Sequence, residues 1–209
     1  MNIGLLGFGV VQIGLSLKSH DPVWELAQEN RALNVKKVLV RRETPSLGKA
    51  AVQDVEAILR DTDIDTVVEV LGGLHPAYEW ICRALAAGKD VVTANKAVIS
   101  AYYRELTALA HENGAALRCT AAVGGGIPWL VNLQRCRRVD TVTEVGGIMN
   151  GTTNFIMDAM ARQGADFPAV LQRAQELGYA EADPSADIDG DDIRRKLTIS
   201  ANIAFDALL

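Results

Sequence analysis

Short β-rich runs alternate with helix-length segments through the first two thirds of the chain, and this alternation restricts the fold more than any other feature. Ile3–Leu6 reads as a strand and Val10–Lys18 as a helix. Val35–Val40 is a β-rich run, and Val52–Leu59 carries the apolar spacing of a helix. Thr66–Val70 is again β-rich, and Pro76–Ala87 forms an amphipathic helix stopped by Gly88. Strand Asp90–Thr93, helix Tyr102–Asn113 with Gly114 at its end, and strand Ala116–Cys119 complete the series. Strand–helix alternation of this kind predicts an α/β fold, a doubly wound parallel sheet covered by helices on both faces.

The pattern changes near Gly124, where Gly124-Gly125-Gly126-Ile127-Pro128 breaks the alternation. Val139–Met149 then reads as a longer strand, Thr153–Gln163 and Phe167–Leu177 as helices, and 178–190 as a polar, acid-rich loop. A last helix runs from Asp191 to the end. These segments predict a first domain over 1–127 and a second, incomplete α+β domain over 128–209. The final helix stops on Ala207-Leu208-Leu209 with neither a glycine cap nor a basic last turn, as a helix does when its continuation is missing.

Composition narrows the partners. A net charge of −5 offers no broad basic field for nucleic acid or an anionic membrane. No apolar run is long enough to span a bilayer, and Met1 leads directly into a strand rather than a leader peptide. The three cysteines, Cys82, Cys119 and Cys136, lie far apart with no C-x-x-C pair, which suits a reducing cytoplasm. The three histidines, His20, His75 and His111, have no metal-ligand spacing.

Gly7-Phe8-Gly9-Val10-Val11-Gln12 lies between the first strand and the first helix. The first glycine permits a tight turn, and the second lets backbone N–H groups approach a pyrophosphate at the helix N-terminus. This is the arrangement of a Rossmann-like dinucleotide site, with Gln12 standing where a third glycine is usual. After the second strand stand Arg41 and Arg42, where an NAD-binding chain would carry an acid for the ribose 2′-hydroxyl. Arginines there suit the 2′-phosphate of NADP. The alternative is a pair of solvated surface arginines, one neutralised by Glu43.

Several segments, taken in order, resemble one family. They are Glu69-Val-Leu-Gly-Gly73 with Pro76-Ala77, Gly88-Lys89-Asp-Val-Val-Thr-Ala-Asn-Lys96, and Val123-Gly-Gly-Gly-Ile-Pro128. Gly147-Ile-Met-Asn-Gly-Thr-Thr-Asn-Phe155 follows, then Leu177-Gly-Tyr-Ala-Glu-Ala-Asp-Pro184 and the trio Asp187, Asp192 and Lys196. The chain closely resembles homoserine dehydrogenase. The resemblance implies NAD(P)-dependent interconversion of L-homoserine and L-aspartate 4-semialdehyde, in the biosynthesis of threonine, methionine and isoleucine. It also implies a small-molecule substrate and a homodimer when the chain is complete.

Carried over residue by residue, the resemblance makes Lys96, Lys196 and Asp192 catalytic. It gives Glu181, Asp187, Asn150, Gly151 and Thr152 to the substrate. The cofactor set becomes Gly7, Phe8, Gly9, Val10, Val11, Arg41, Gly72, Thr93, Asn95 and Lys96. It further implies a monovalent cation, Na+, held by carbonyls of Val123, Gly125 and Ile127. Thr120 stands where the family often has a glutamate, so one charged ligand is missing.

The chemistry suits these residue types. Hydride reaching an aldehyde builds negative charge on oxygen, which an ammonium group can stabilise and protonate. Asp192 and Lys196 are four apart and share a helical face, where the bland alternative is a solvated ion pair. The amine of an amino-acid substrate needs carboxylates, and 181–192 supplies six, most of them expected to face water. A catalytically impaired, NADP-binding remnant of the family is the competing reading. Another two-domain dehydrogenase for a small amino acid is a third.

Overall fold

The computed structural model describes residues 1–7, 34–180 and 183–207. It divides into two compact units, Met1–Pro128 and Trp129–Leu209. The helix expected over Val10–Lys18 lies outside the described residues.

Among the described residues of the first unit, six strands form one parallel sheet. They are β1 (Asn2–Leu6), β2 (Asn34–Leu39), β3 (Ala51–Val52), β4 (Thr66–Glu69), β5 (Asp90–Thr93) and β6 (Leu117–Arg118), in the spatial order β3-β2-β1-β4-β5-β6. β1 pairs with β2 on one side and β4 on the other, so the strand order reverses between β1 and β4. Ligands bind such sheets outside the carboxyl ends of the strands at that reversal. Ile3, Leu5, Val38, Val40 and Val68 form a buried cluster within the sheet. Helices α1 (Glu56–Leu59), α2 (Ala77–Ala86) and α3 (Lys96–Glu112) accompany the sheet. A Cβ on Gly4 would lie 2.4 Å from Ile58 Cγ2, so α1 packs directly on the β1 backbone.

Two expectations in this unit need correction. Val52–Leu59 is not one helix. Ala51 and Val52 pair with Val38 and Leu39 as a short edge strand, and the N–H of Val40 donates to the Val52 carbonyl at 2.9 Å. Asp54 then accepts the N–H of Glu56, and helix follows for one turn only. The unfilled edge of β2 thus outweighs the helical spacing. The helix expected from Tyr102 instead begins at Lys96, because Asn95 caps it by accepting the N–H of Val98. Tyr102 marks a break inside it, with φ −132°.

The regular elements among the described residues of the second unit are all helices: α4 (Trp129–Val139), α5 (Gly151–Gln163), α6 (Phe167–Glu176), α7 (Ser185–Ile188) and α8 (Asp191–Phe205). Ile156, Ala159, Val170, Ala174 and Ala180 form the core between α5 and α6. α4 is not legible in the sequence, because only Leu130 and Leu133 are buried and three arginines interrupt the apolar spacing of its second half. Val139–Met149 is not a strand. The Val/Thr-rich run has extended-chain propensity, but Gly146 and Gly147 interrupt it and no strand is available for a ladder among the described residues of this unit. α8 ends at Phe205, where Asp206 turns left-handed with φ 55°, instead of running to the last residue. Among the described residues, no helix is long and apolar enough to cross a membrane.

Candidate functional site

The first unit opens a cleft of about 1010 Å³ beyond the ends of β1, β2 and β4, lined in part by Gly7, Arg41, Arg42, Leu71, Gly72 and Trp80. Gly7 follows β1 with φ 105°, and a Cβ there would lie 3.0 Å from Leu71 Cδ2. Only glycine combines that backbone angle with that approach. Arg41 and Arg42 are both exposed at the cleft rim. A glycine turn at the strand reversal, room for a dinucleotide and two guanidinium groups fit a nicotinamide dinucleotide. Phe8, Gly9, Val10 and Val11 lie outside the described residues.

Thr93 and Asn95 do not line this cleft. They are buried in a polar network around Glu69, a fully buried carboxyl at the end of β4. Glu69 Oε2 accepts the Thr93 hydroxyl at 2.5 Å, and Oε1 accepts the Leu71 N–H at 2.7 Å and the Asn95 amide at 3.3 Å. The Asn95 amide also donates to the Gly73 carbonyl at 2.7 Å. Lys96 follows as the first residue of α3, half-buried. Sequence reasoning quoted Glu69 in a motif without giving it a role. The signal was there: a carboxylate closing the apolar run Val67-Val68.

The second unit gathers its own cluster. Asn150 caps α5, its side-chain oxygen accepting both the N–H and the hydroxyl of Thr153 at 2.8 and 3.0 Å. Its amide donates to Asp187 Oδ1 at 2.7 Å and to Asp192 Oδ2 at 3.0 Å. Lys196 Nζ lies 2.7 Å from Asp192 Oδ2 and donates to the Met149 carbonyl at 2.6 Å. The side chains of Lys196 and Asp192 are only 18% and 8% exposed, so this pair is not the solvated surface kind. Buried charges of this sort persist only when paired and hydrogen-bonded, as these are.

The other acids nearby are engaged locally. The hydroxyl and N–H of Ser185 pull the Asp183 carboxyl below its ordinary pKa. Arg194 does the same to Asp191. Asp189 is exposed. Asp187, expected at the substrate, and Asp192, expected to be catalytic, therefore converge through Asn150, and Glu181 lies outside the described residues. Gly151 is exposed at the first turn of α5, and the buried Thr152 hydroxyl donates to the Tyr179 carbonyl at 2.7 Å. Asn150 uses both amide protons and its oxygen within the protein, which makes it the organiser of the cluster.

In the glycine loop, Val123 is buried, Ile127 is exposed, and Gly124 and Gly125 adopt positive φ. The Ile127 N–H donates to the Gly124 carbonyl at 3.0 Å. No cluster of acidic, histidine or cysteine side chains able to hold a metal occurs among the described residues.

Comparison with known proteins gives a consistent picture. Residues 128–209 match the family model described as homoserine dehydrogenase, and residues 20–120 match its NAD-binding domain. The homoserine dehydrogenase of Synechocystis sp. is 43% identical over 209 residues, covering 98% of this chain and 48% of the relative. The solved homoserine dehydrogenase of Thiobacillus denitrificans superposes with a TM-score of 0.91 at 39% identity, covering 100% of this chain and 49% of that one. A hyperthermophilic archaeal homoserine dehydrogenase, solved in complex with NADPH, gives a TM-score of 0.83 at 25% identity, covering 99% and 70%. The chain spans about half the length of the curated relatives it matches.

Proposed function

The chain belongs to the homoserine dehydrogenase family, and from that membership we propose that it interconverts L-homoserine and L-aspartate 4-semialdehyde with NADP(H). The observation that carries the proposal is the buried Asn150–Asp187–Asp192–Lys196 cluster. Its two carboxylates and one ammonium leave one net negative charge. That charge suits the amine of an amino-acid substrate, which both homoserine and aspartate semialdehyde carry.

A nicotinamide, when bound, would supply or accept the hydride. The protein's part is to bind, orient and move a proton. In the reducing direction, Lys196 gives a proton to the aldehyde oxygen as charge develops there; in the oxidising direction it receives the alcohol proton. Asp192 and the Met149 carbonyl fix the amine's position. Asp187 grips the substrate ammonium, with Asn150 holding its carboxylate in place. Lys96, at the start of α3, is assigned to the same reaction by the family motif. Arg41 and Arg42 favour NADP over NAD, since a guanidinium pairs with a 2′-phosphate.

A monovalent cation on the carbonyls of Val123, Gly125 and Ile127 belongs to the same proposal, as does a homodimer. Gly124 and Gly125 both adopt positive φ there, and a set made only of backbone carbonyl oxygens would suit a hard cation. The dimer is expected of the complete protein, for which sedimentation velocity would show a species of twice its subunit mass.

The proposal is tested by calorimetric titration of L-homoserine into the chain saturated with NADPH. Asp187→Asn is expected to weaken binding by about tenfold or more, the loss of one charge-assisted contact. Equal affinity in the variant would remove Asp187 from the site.

A further inference from the structure

We propose that Glu69 is a positioning residue for Lys96, acting through the turn that opens α3. Its consequence for turnover rests on the function proposed above; its structural part does not.

The geometry is a closed network. Glu69 ends β4 and is fully buried. Through Leu71 N–H it holds the turn that leaves β4. Through the Thr93 hydroxyl and the Asn95 amide it holds the turn that leaves β5. The Thr93 oxygen accepts the Asn95 N–H at 2.9 Å, and Asn95 joins the two turns a second time through the Gly73 carbonyl. Asn95 also caps α3. Lys96 therefore follows a residue fixed by four hydrogen bonds: its backbone N–H to Thr93, its side-chain NH2 to Glu69 and to Gly73, and its side-chain oxygen accepting the Val98 N–H.

A carboxylate suits this position better than any neutral side chain. Three donors converge on its two oxygens, and a carboxylate alone accepts from all three without presenting a proton of its own. Gln would keep one accepting oxygen and turn an NH2 toward a donor or toward the Thr93 oxygen. Ala would leave the buried Thr93 hydroxyl and Asn95 amide and the part-buried Leu71 N–H without this acceptor, at a cost greater than that of the bonds themselves. Placement of a reacting amine is sensitive to such loosening, because a shift of about 1 Å far from the chemistry costs about a hundredfold in rate.

The test combines native-state hydrogen exchange with steady-state kinetics on the full chain and on Glu69→Ala, Glu69→Gln and Thr93→Val. In Glu69→Ala the amides of Leu71, Asn95 and Val98 are expected to exchange about tenfold faster or more, while those of β1 stay within about twofold. The kcat is expected to fall about tenfold or more with KM for homoserine nearly unchanged, and Glu69→Gln to recover part of both effects. Thr93→Val, which removes only the hydroxyl, is expected to show the same pattern more weakly and serves if Glu69→Ala does not fold. Uniform acceleration of all amides, or unchanged protection at 71, 95 and 98, would overturn the network's role. Selective loosening with an unchanged kcat would overturn its link to Lys96. An unmodified chain that folds but does not turn over would defeat the proposed function, while the exchange pattern still decides whether Glu69 holds the turn.

Discussion

Lys196 illustrates how much one side chain's surroundings decide. Four residues from Asp192 on a helix, it could have been an ordinary surface pair worth a few tenths of a kcal/mol. Burial and the Met149 carbonyl make it something else. Asp192→Ala is expected to destabilise the second unit by about 3–5 kcal/mol, since it leaves a buried ammonium without its partner; chemical denaturation measures this. At the cofactor end, Arg41→Ala should raise the Kd for NADPH by about tenfold while leaving NADH within about twofold. Equal weakening of both would show that Arg41 does not read the 2′-phosphate. Asp187, Asp192 and Lys196 stand out in the sequence only through the resemblance of their motifs to one family, since the i,i+4 spacing alone also fits a surface pair. The central places of Asn150 and Glu69 do not stand out there. Both depend on which donor meets which acceptor across 37 or 24 positions of chain, information that local spacing does not contain.

Elements show the same division between what local pattern fixes and what neighbours fix. β1, β2, β4 and β5 fall within a residue or two of the apolar runs, because strands buried in a parallel sheet are continuous hydrophobic segments. β3 and the start of α3 were misread because an open strand edge and an asparagine cap outrank apolar periodicity. Val139–Met149 failed as a strand for the opposite reason: its propensity finds no partner among the described residues. Capping at α6 gives a direct test. Asp166 accepts the Ala169 N–H at 3.3 Å, and Asp166→Ala is expected to cost about 1 kcal/mol in denaturant unfolding. Acid provides another. Hydrogen bonds from Lys37 and Lys36 hold the Asp61 carboxyl far below the usual carboxylate range and tie the turn after α1 to β2. A depressed carboxylate stabilises the fold above its unfolded value of about 3.9 and loses that contribution as pH falls toward its lower folded value. The melting temperature of Asp61→Asn should therefore fall less steeply than that of the unmodified chain as pH drops below about 4.

At the scale of the whole molecule, the strand order β3-β2-β1-β4-β5-β6 does the functional work of the first unit. It brings the Gly7 turn and the β2 arginines to one cleft, and sets the Glu69 network at the ends of the neighbouring strands β4 and β5. The second unit contributes a charged cluster assembled from α5, α7 and α8. One assay bears on both contributions. NADPH oxidation is followed by absorbance with L-aspartate 4-semialdehyde, using the unmodified chain and Lys196→Ala. Turnover by the unmodified chain is expected, with a loss of about a hundredfold or more in the variant at unchanged NADPH affinity. Equal turnover by both proteins would contradict the assignment of Lys196, and a folded chain that binds NADPH without turning over would contradict the enzyme itself.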